Sequence, residues 1–204
     1  MRISVGEKNE VIEQYKLGNL EDAIKLLIKL NNKRYEHVRD KHFIYKTLVV
    51  LYKKIEEGKD IQDRDYTIAN YYLNNAYNNI KEYKDSYEDE YYEIIWLHVG
   101  INESTLSNDI LLSYYKEIKE YYDKIDYRRN SIALQINISK IEKDYWTIID
   151  CLLEVIEYND DGDFYGMKDA ILQEIENTFG DTYLNLAIKT ITDKIKDNHI
   201  ALIK

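Results

Sequence analysis

Apolar residues recur along this chain every three or four positions, which is the spacing of one face of an α-helix. A clear run contains Ile44, Leu48, Leu51 and Ile55, and Gly58 follows it as a stop signal. Comparable runs occur from one end to the other. We predict an all-α protein of about ten antiparallel helices joined by short turns, at about residues 6–17, 20–32, 35–57, 64–83, 87–100, 105–124, 127–142, 145–158, 164–179 and 182–197.

Three further runs support the later helices, and each keeps steps of three or four residues. They are Leu111, Tyr115, Ile118, Tyr122 and Ile125; Met167, Ile171, Ile175 and Phe179; and Leu184, Ile188, Ile191 and Ile195.

Start and stop signals agree with these ranges. Ser86 and Asp89 have the spacing of a capping box. Asp63 and Asp65 precede the run Tyr66 to Tyr83, and Asp181 precedes the last predicted helix. Gly180 follows Phe179 and is a natural C-terminal stop, because glycine adopts positive φ without strain.

Residues 131–139 carry a competing signal. Ile132, Leu134, Ile136 and Ile138 alternate with smaller or polar residues, which is the period of a half-buried strand. Ile132 and Ile136 also suit one helix face, and no turn residues mark a hairpin partner for a strand. We therefore expect a helix here and keep the strand as the alternative.

Composition favours one continuously folded unit. The chain has 204 residues, 45% of them hydrophobic, with no proline, seven glycines and no linker-like segment. We expect a single all-α helical-hairpin domain over residues 1–204. The N-terminal sequence has no apolar signal core, no window is long and apolar enough to span a bilayer, and one cysteine forms no internal disulfide, so a cytoplasmic location is expected.

Charge is distributed unevenly. Residues 1–60 hold 13 Lys and Arg against 10 Asp and Glu, about +3, and the remainder carries −13. An acidic surface disfavours nucleic acid and favours basic protein partners. The 21 tyrosines accompany many Asn, Lys and Ile residues, all with AT-rich codons, as in a low-GC bacterium or its phage.

The stretch LGNLEDAIKLLIKL, residues 17–30, resembles the second half of a tetratricopeptide repeat (TPR). Its Gly18-Asn19-Leu20 turn is followed by Ala23 at the small-residue position and then by Leu27 and Leu30. Residues 143–155 form a degenerate second match, in which Asp144-Tyr145 is followed by Ile148, Leu152 and Val155. The resemblance implies a TPR-like right-handed helical stack, and a compact irregular α-bundle is the alternative.

No catalytic, cofactor-binding or metal-binding set is predicted. His37 and His42 are five residues apart, so they point in different directions around a helix. Cys151 lies among apolar helix positions, where core packing is the expected role. Residues 159–166 begin like a calcium loop, but Phe164 and Ala170 replace the glycine and glutamate that such a loop requires.

An acidic, tyrosine-rich surface is the predicted partner-binding site. Like charges three or four residues apart repel one another in a helix, and a basic partner would relieve this cost. The residues are Tyr87, Glu88, Asp89, Glu90, Tyr91, Tyr92 and Glu93. A basic stretch at residues 29–42 suits contact with phosphates or with an acidic partner segment, and a solvated helix face is the alternative.

These features predict a non-enzymatic module that binds a protein or peptide with a basic surface, without cofactor, nucleic acid or membrane. The alternative is an acidic inhibitor of a partner enzyme, such as a toxin-immunity or phage anti-defence protein. An enzyme with an unrecognised site is the remaining class.

Overall fold

The computed structural model describes residues 2–33, 35–158 and 164–203, with side chains up to residue 194 in the last helix. This part of the chain contains ten α-helices and two short 3-10 segments, at Ile61–Asp63 and Lys81–Ser86. The helices are α1 (Val5–Lys16), α2 (Leu20–Asn31), α3 (Val38–Glu57), α4 (Thr67–Ile80), α5 (Glu88–Asn102), α6 (Asn108–Lys124), α7 (Arg128–Glu142), α8 (Tyr145–Glu157), α9 (Met167–Phe179) and α10 (Asp181–Ile203). The predicted all-α class is confirmed.

The ambiguous segment is helical throughout and belongs to α7. Ile132, Leu134, Ile136 and Ile138 are all buried. Successive members of this series lie about 200° apart on a helix, so they face opposite sides. The helix α7 packs against both α6 and α8, so apolar residues are needed on more than one face. Burial on two sides therefore produced the strand-like alternation.

Helix ends follow local backbone chemistry. Ser4 and Glu7 form a capping box at the start of α1, and hydrogen bonds from Lys33 and Ser4 lower the pKa of Glu7 to about 2. Gly18 between α1 and α2 has φ +79°, and Gly180 after α9 has φ +87°, as the turn and stop signals require. The start predicted at Ser86 is displaced, because that residue lies in a 3-10 segment and Tyr87 is the N-cap of α5.

Residues cluster into two compact units, Met1–Leu106 and Ser107–Lys204. In the first, α3 packs against α2, α4 and α5, and the apolar core of α1–α3 forms as the periodicity predicts. Ile44, Leu48 and Leu51 are at most 1% exposed. The single-domain arrangement of the whole chain stays a prediction.

The second unit is a succession of neighbours, in which each helix packs against the next from α6 to α10. Ile148, Leu152, Ile171 and Ile175 form the centre of its core. Two residues of the predicted apolar stripes, one in the run of α6 and one in that of α10, are exposed, so the prediction is wrong at these positions. Ile125 lies past the end of α6, and Ile188 is 46% exposed because α10 turns a different face to the core.

The core face of α10 is formed by Leu184, Ala187 and Ile191, with Ala187 fully buried. These residues are three and four positions apart, so they are as regular as the predicted set that contains Ile188. Apolar spacing is therefore compatible with either of two overlapping stripes on α10. Packing against the rest of the core determines that the stripe with Ala187 is the buried one.

The TPR-like positions behave as close-packing sites. Ala23 and Leu27 are fully buried and Leu30 is 5% exposed, which brings α2 close to its neighbours. In the second match Asp144 accepts a hydrogen bond from the Thr147 backbone amide at the start of α8. These are properties of any tight helical hairpin, so membership of the repeat family stays a prediction. Among the described residues, no helix has the length and apolar content needed to cross a membrane.

Candidate functional site

The predicted acidic surface lies at the start of α5, and part of it is buried. Tyr91 and Tyr92 are each only 8% exposed. Tyr87 and Glu88 are half-buried, whereas Asp89 is exposed. A partner would therefore meet the edge of this stretch and not the faces of its last two tyrosine rings.

Two of its carboxylates pair with helix α3. Glu90 accepts a hydrogen bond from Arg39 Nε at 2.7 Å. Glu93 Oε2 lies 3.1 Å from His42 Nε2 and 2.6 Å from Lys46 Nζ. We call these five residues the α3–α5 seam. The fold thus joins the end of the predicted basic stretch to the predicted acidic one, and the relief expected from a partner comes partly from within the chain.

Electrostatics in the seam favour the ionised carboxylate. Partial burial opposes ionisation of Glu93, but hydrogen bonds from His42 and Lys46 outweigh it, so the pKa of Glu93 is lowered. His42 is 5% exposed and its Nδ1 is buried without a hydrogen-bond partner. A carboxylate needs a donor, so Nε2 carries the proton towards Glu93.

Cations also lie over the aromatic rings of the predicted surface. Arg39 lies 5.1 Å from the ring centre of Tyr87. Lys84 lies 4.6 Å from the ring centre of Tyr91 and 5.2 Å from that of Tyr92. Such contacts stabilise a helix junction, because the negative ring faces attract the cations. The binding role of Tyr87–Glu93 stays a prediction.

A buried carboxylate next to the seam was missed by sequence reasoning. Asp40 is fully buried, and its Oδ2 lies 2.7 Å from Arg2 Nε and accepts the Ile3 amide at 3.3 Å. Its Oδ1 lies 3.3 Å from Lys8 Nζ, an ion-pair contact without hydrogen-bond geometry. Asp40 precedes Ile44 by four residues, so it is in phase with the apolar stripe of α3. A charge in that phase was the available signal.

An open cleft of about 700 Å³ lies between the N-terminal end of α4 and the C-terminal end of α5. We call it the α4–α5 cleft. Its lining residues are Ile61, Arg64, Asp65, Tyr66, Thr67, Asn70, Gly100, Ile101, Asn102, Glu103, Ser104 and Thr105. Of this set, only Asp65 and Tyr66 were recognisable from the sequence, as a helix start.

Amides and hydroxyls dominate the middle of this cleft. Asn70 and Asn102 exchange two side-chain hydrogen bonds, at 3.1 and 3.0 Å, and Asn102 also donates to the carbonyl of His98. Ser104 and Thr105 are exposed at the edge. At one end, Arg64 donates to the carbonyls of Glu57 and Lys59 and so closes the C-terminal end of α3.

The second unit has a smaller cavity, of about 240 Å³, beside Cys151. Cys151 is 6% exposed, and burial together with the nearby carboxylates Glu154 and Asp150 raises the pKa of its thiol to about 11. The neutral thiol is a poor nucleophile, so the expected packing role fits its surroundings. Ion pairs of Arg128 with Glu154 and of Lys119 with Asp123 surround the cavity.

His37 and His42 have separate roles. His37 is the N-cap of α3 and accepts the Arg39 amide, whereas His42 lies on the buried face of that helix. Burial lowers the pKa of His98. Among the residues with described side chains, no cluster of three or more His, Cys, Asp or Glu is suited to hold a metal ion. The calcium-like stretch at residues 159–163 lies outside the described residues.

Comparisons with family models, curated proteins and solved structures give no match for this chain.

Proposed function

We propose that this chain is a non-enzymatic module that binds a protein or peptide segment, and that the α4–α5 cleft is the principal contact surface. The single observation that carries the proposal is the open cleft itself. Its volume of about 700 Å³ falls in the range of ligand sites, about 300–1,000 Å³.

The lining suits the backbone of an extended peptide. Side-chain amides and hydroxyls both donate and accept hydrogen bonds, as do the peptide N–H and C=O groups. Asn70 and Asn102 already bond to each other, so they offer one N–H of Asn70 and the second lone pairs of both amide oxygens, and Ser104 and Thr105 add hydroxyl oxygens. Arg64, Asp65 and Glu103 add charges of both signs, which suits a peptide with mixed polar side chains.

The exposed edge of Tyr87–Glu93 extends this proposal to a basic partner. Its outward charge comes from the exposed Asp89 and Glu93 and from the half-buried Glu88, although Glu93 also pairs with α3. We expect it to act mainly through steering, because the charges there are close to water.

A peptide-display selection against the full-length protein tests the cleft, followed by calorimetric titration of the selected peptide. Ser104→Trp fills the cleft and is expected to weaken binding at least tenfold, about 1.4 kcal/mol. Ser113→Trp is the matched control, because Ser113 is also exposed but lies on α6. Equal binding by both variants, each folded by circular dichroism, would remove the cleft from the proposal.

The acidic-inhibitor alternative is favoured by one observation, the charge of −13 on residues 61–204. It predicts a partner affinity that falls steeply with salt, because long-range steering is screened beyond about 8 Å at physiological ionic strength. Affinity that is unchanged between low and high salt would argue against it.

A further inference from the structure

Helix α4 differs in composition from the other helices of the described chain. It carries no Asp, Glu, Lys or Arg between Thr67 and Ile80, although 32% of the whole sequence is charged. Each of the other nine helices carries at least three such residues. The buried face of α4 explains only part of this, since it consists of Ala69, Leu73, Ala76 and Ile80.

The opposite face of α4 is exposed and equally uncharged. Tyr71 is 62% exposed and Ile68 is 51% exposed, and Thr67, Asn74 and Asn78 are also exposed. Steps of four and three residues place Thr67, Tyr71, Asn74 and Asn78 on one line along the helix. Solvent-facing helix surfaces usually carry charges, whereas the centres of protein interfaces are depleted of charge and enriched in tyrosine.

The side chains of this face are self-complementary. A carboxamide or a phenol donates and accepts, so it can bond to a second copy of itself, whereas a carboxylate or ammonium group repels its copy. In a two-fold symmetric contact, residues near the axis meet their own copies. The reciprocal bonds between Asn70 of α4 and Asn102 show such an amide pair within this chain.

Net charge restricts where two copies can meet. Each chain carries −10, so most pairs of surfaces bring like charges together. The exposed face of α4 lets two acidic chains approach without opposing charged side chains on the helix itself. We propose that a second copy of this chain docks on this face, with the two α4 helices antiparallel across a two-fold axis near Tyr71 and Asn74.

Sedimentation equilibrium of the full-length protein tests this proposal. We expect the wild type to reach twice the chain mass of 24.5 kDa, and Asn74→Glu to raise the dimer dissociation constant at least about tenfold. Tyr71→Glu is a second variant with the same expected effect. Asn9→Glu is the matched control, because it adds the same charge at an exposed position of α1 and should leave the dissociation constant within about twofold.

Charge complementation distinguishes a symmetric contact from general repulsion. An equimolar mixture of Asn74→Glu and Asn74→Lys should form dimers that neither variant forms alone. A wild type that remains monomeric at about 100 μM overturns the proposal. So does a dimer that both glutamate variants leave intact, or a mixture of folded Asn74 variants that fails to associate. None of these outcomes depends on peptide binding at the cleft.

Discussion

The two compact units of this protein bury different kinds of polar group. In the described part of Met1–Leu106, the buried polar residues are the ionisable Asp40, His42 and Glu56. In the described part of Ser107–Lys204, they are the hydroxyls Ser131 and Ser139. Both units are helical and both have apolar cores. The kind of buried polar group is therefore the difference between them that bears on how their helices pair.

Charge contributes to helix pairing in the first unit. Asp40 connects α3 to the N-terminal residues Arg2 and Lys8, and Glu56 pairs with Lys59 at 2.8 Å while accepting the Asp65 amide. Removing one partner of a buried pair is costly because the other partner keeps its charge without compensation. We expect such groups to disfavour wrong pairings of helices that would leave Asp40 buried without a cation.

Apolar volume dominates in the second unit. Its pair between Lys116 of α6 and Glu142 of α7, at 2.8 Å, connects two helices at the surface, with both side chains at least 40% exposed. Exposed pairs contribute about 0–1 kcal/mol. The comparison indicates that mutations of charge should distinguish the units, whereas mutations of core leucines should not.

Core truncation is expected to have the largest effect, and a similar one in each unit. Leu48→Ala and Leu152→Ala each remove a fully buried side chain and should lower the free energy of unfolding by about 3 kcal/mol. Urea denaturation gives the magnitude, and hydrogen exchange of peptides shows which unit loses protection. A loss below about 1 kcal/mol in either unit would contradict the expectation that the two apolar cores contribute similarly to stability.

Tyr91→Ala should lower the free energy of unfolding by about 3 kcal/mol, because its ring is buried in the first unit. Tyr165→Ala in the second unit is the matched control, since Tyr165 is 89% exposed and should change stability by less than about 0.5 kcal/mol. Thermal unfolding measures both. An unchanged stability of Tyr91→Ala would contradict a core role for Tyr91 and would favour the predicted binding role.

Two isosteric substitutions test whether charged groups matter more for stability in the first unit than in the second. Asp40→Asn removes the charge that faces Arg2 and Lys8 and should cost about 2 kcal/mol. Glu142→Gln removes the charge from the exposed pair with Lys116 and should cost less than about 0.5 kcal/mol. Chemical denaturation at low salt compares them, and equal losses would remove the distinction between the units.

Acid should weaken the α3–α5 seam through Glu93. Its pKa is lowered in the folded state, so its contribution is present above the ordinary value of about 4.5 and is lost as pH falls below it. The side chain is 45% exposed, so the loss should be at most about 1 kcal/mol.

Unfolding free energies between pH 7 and pH 3, measured for the wild type and Glu93→Gln, isolate this effect. The difference between the two proteins should shrink as pH falls through this range. A constant difference would show that Glu93 does not titrate with folding. Asp123 in the second unit also has a lowered pKa, so its own loss is common to both proteins and cancels.

Most of the helical framework was predictable from local information. Predicted and observed helix ends differ by at most three residues, except at the C-terminal end of α10. Spacing of apolar residues and glycine stops determine such ends locally. The predicted helix at 64–83 was too long because Lys81–Ser86 is a 3-10 segment in which Tyr83 departs from helical geometry. Nothing in the apolar spacing distinguishes such a segment from a helix end.

The candidate sites were less predictable. The sequence identified a basic stretch and an acidic stretch separately, but Arg39 and Glu90 are 51 residues apart, so their pairing depends on how α3 meets α5. The cleft combines residues from the start of α4 with Asn102 at the end of α5 and with Ser104 and Thr105 just after it. Local periodicity carries no information about such distant neighbours.

Short-range patterns in the chain predict that it is helical, where most helices begin and end, and which face of most helices is apolar, because these properties depend on residues within a few turns of one another. The folded chain alone shows that Asp40 and His42 are buried, that Glu90 and Glu93 meet α3, and that α10 directs Ala187 to the core and leaves Ile188 exposed. Burial and ion pairing depend on which helices lie together, and many pairings satisfy the same apolar stripes.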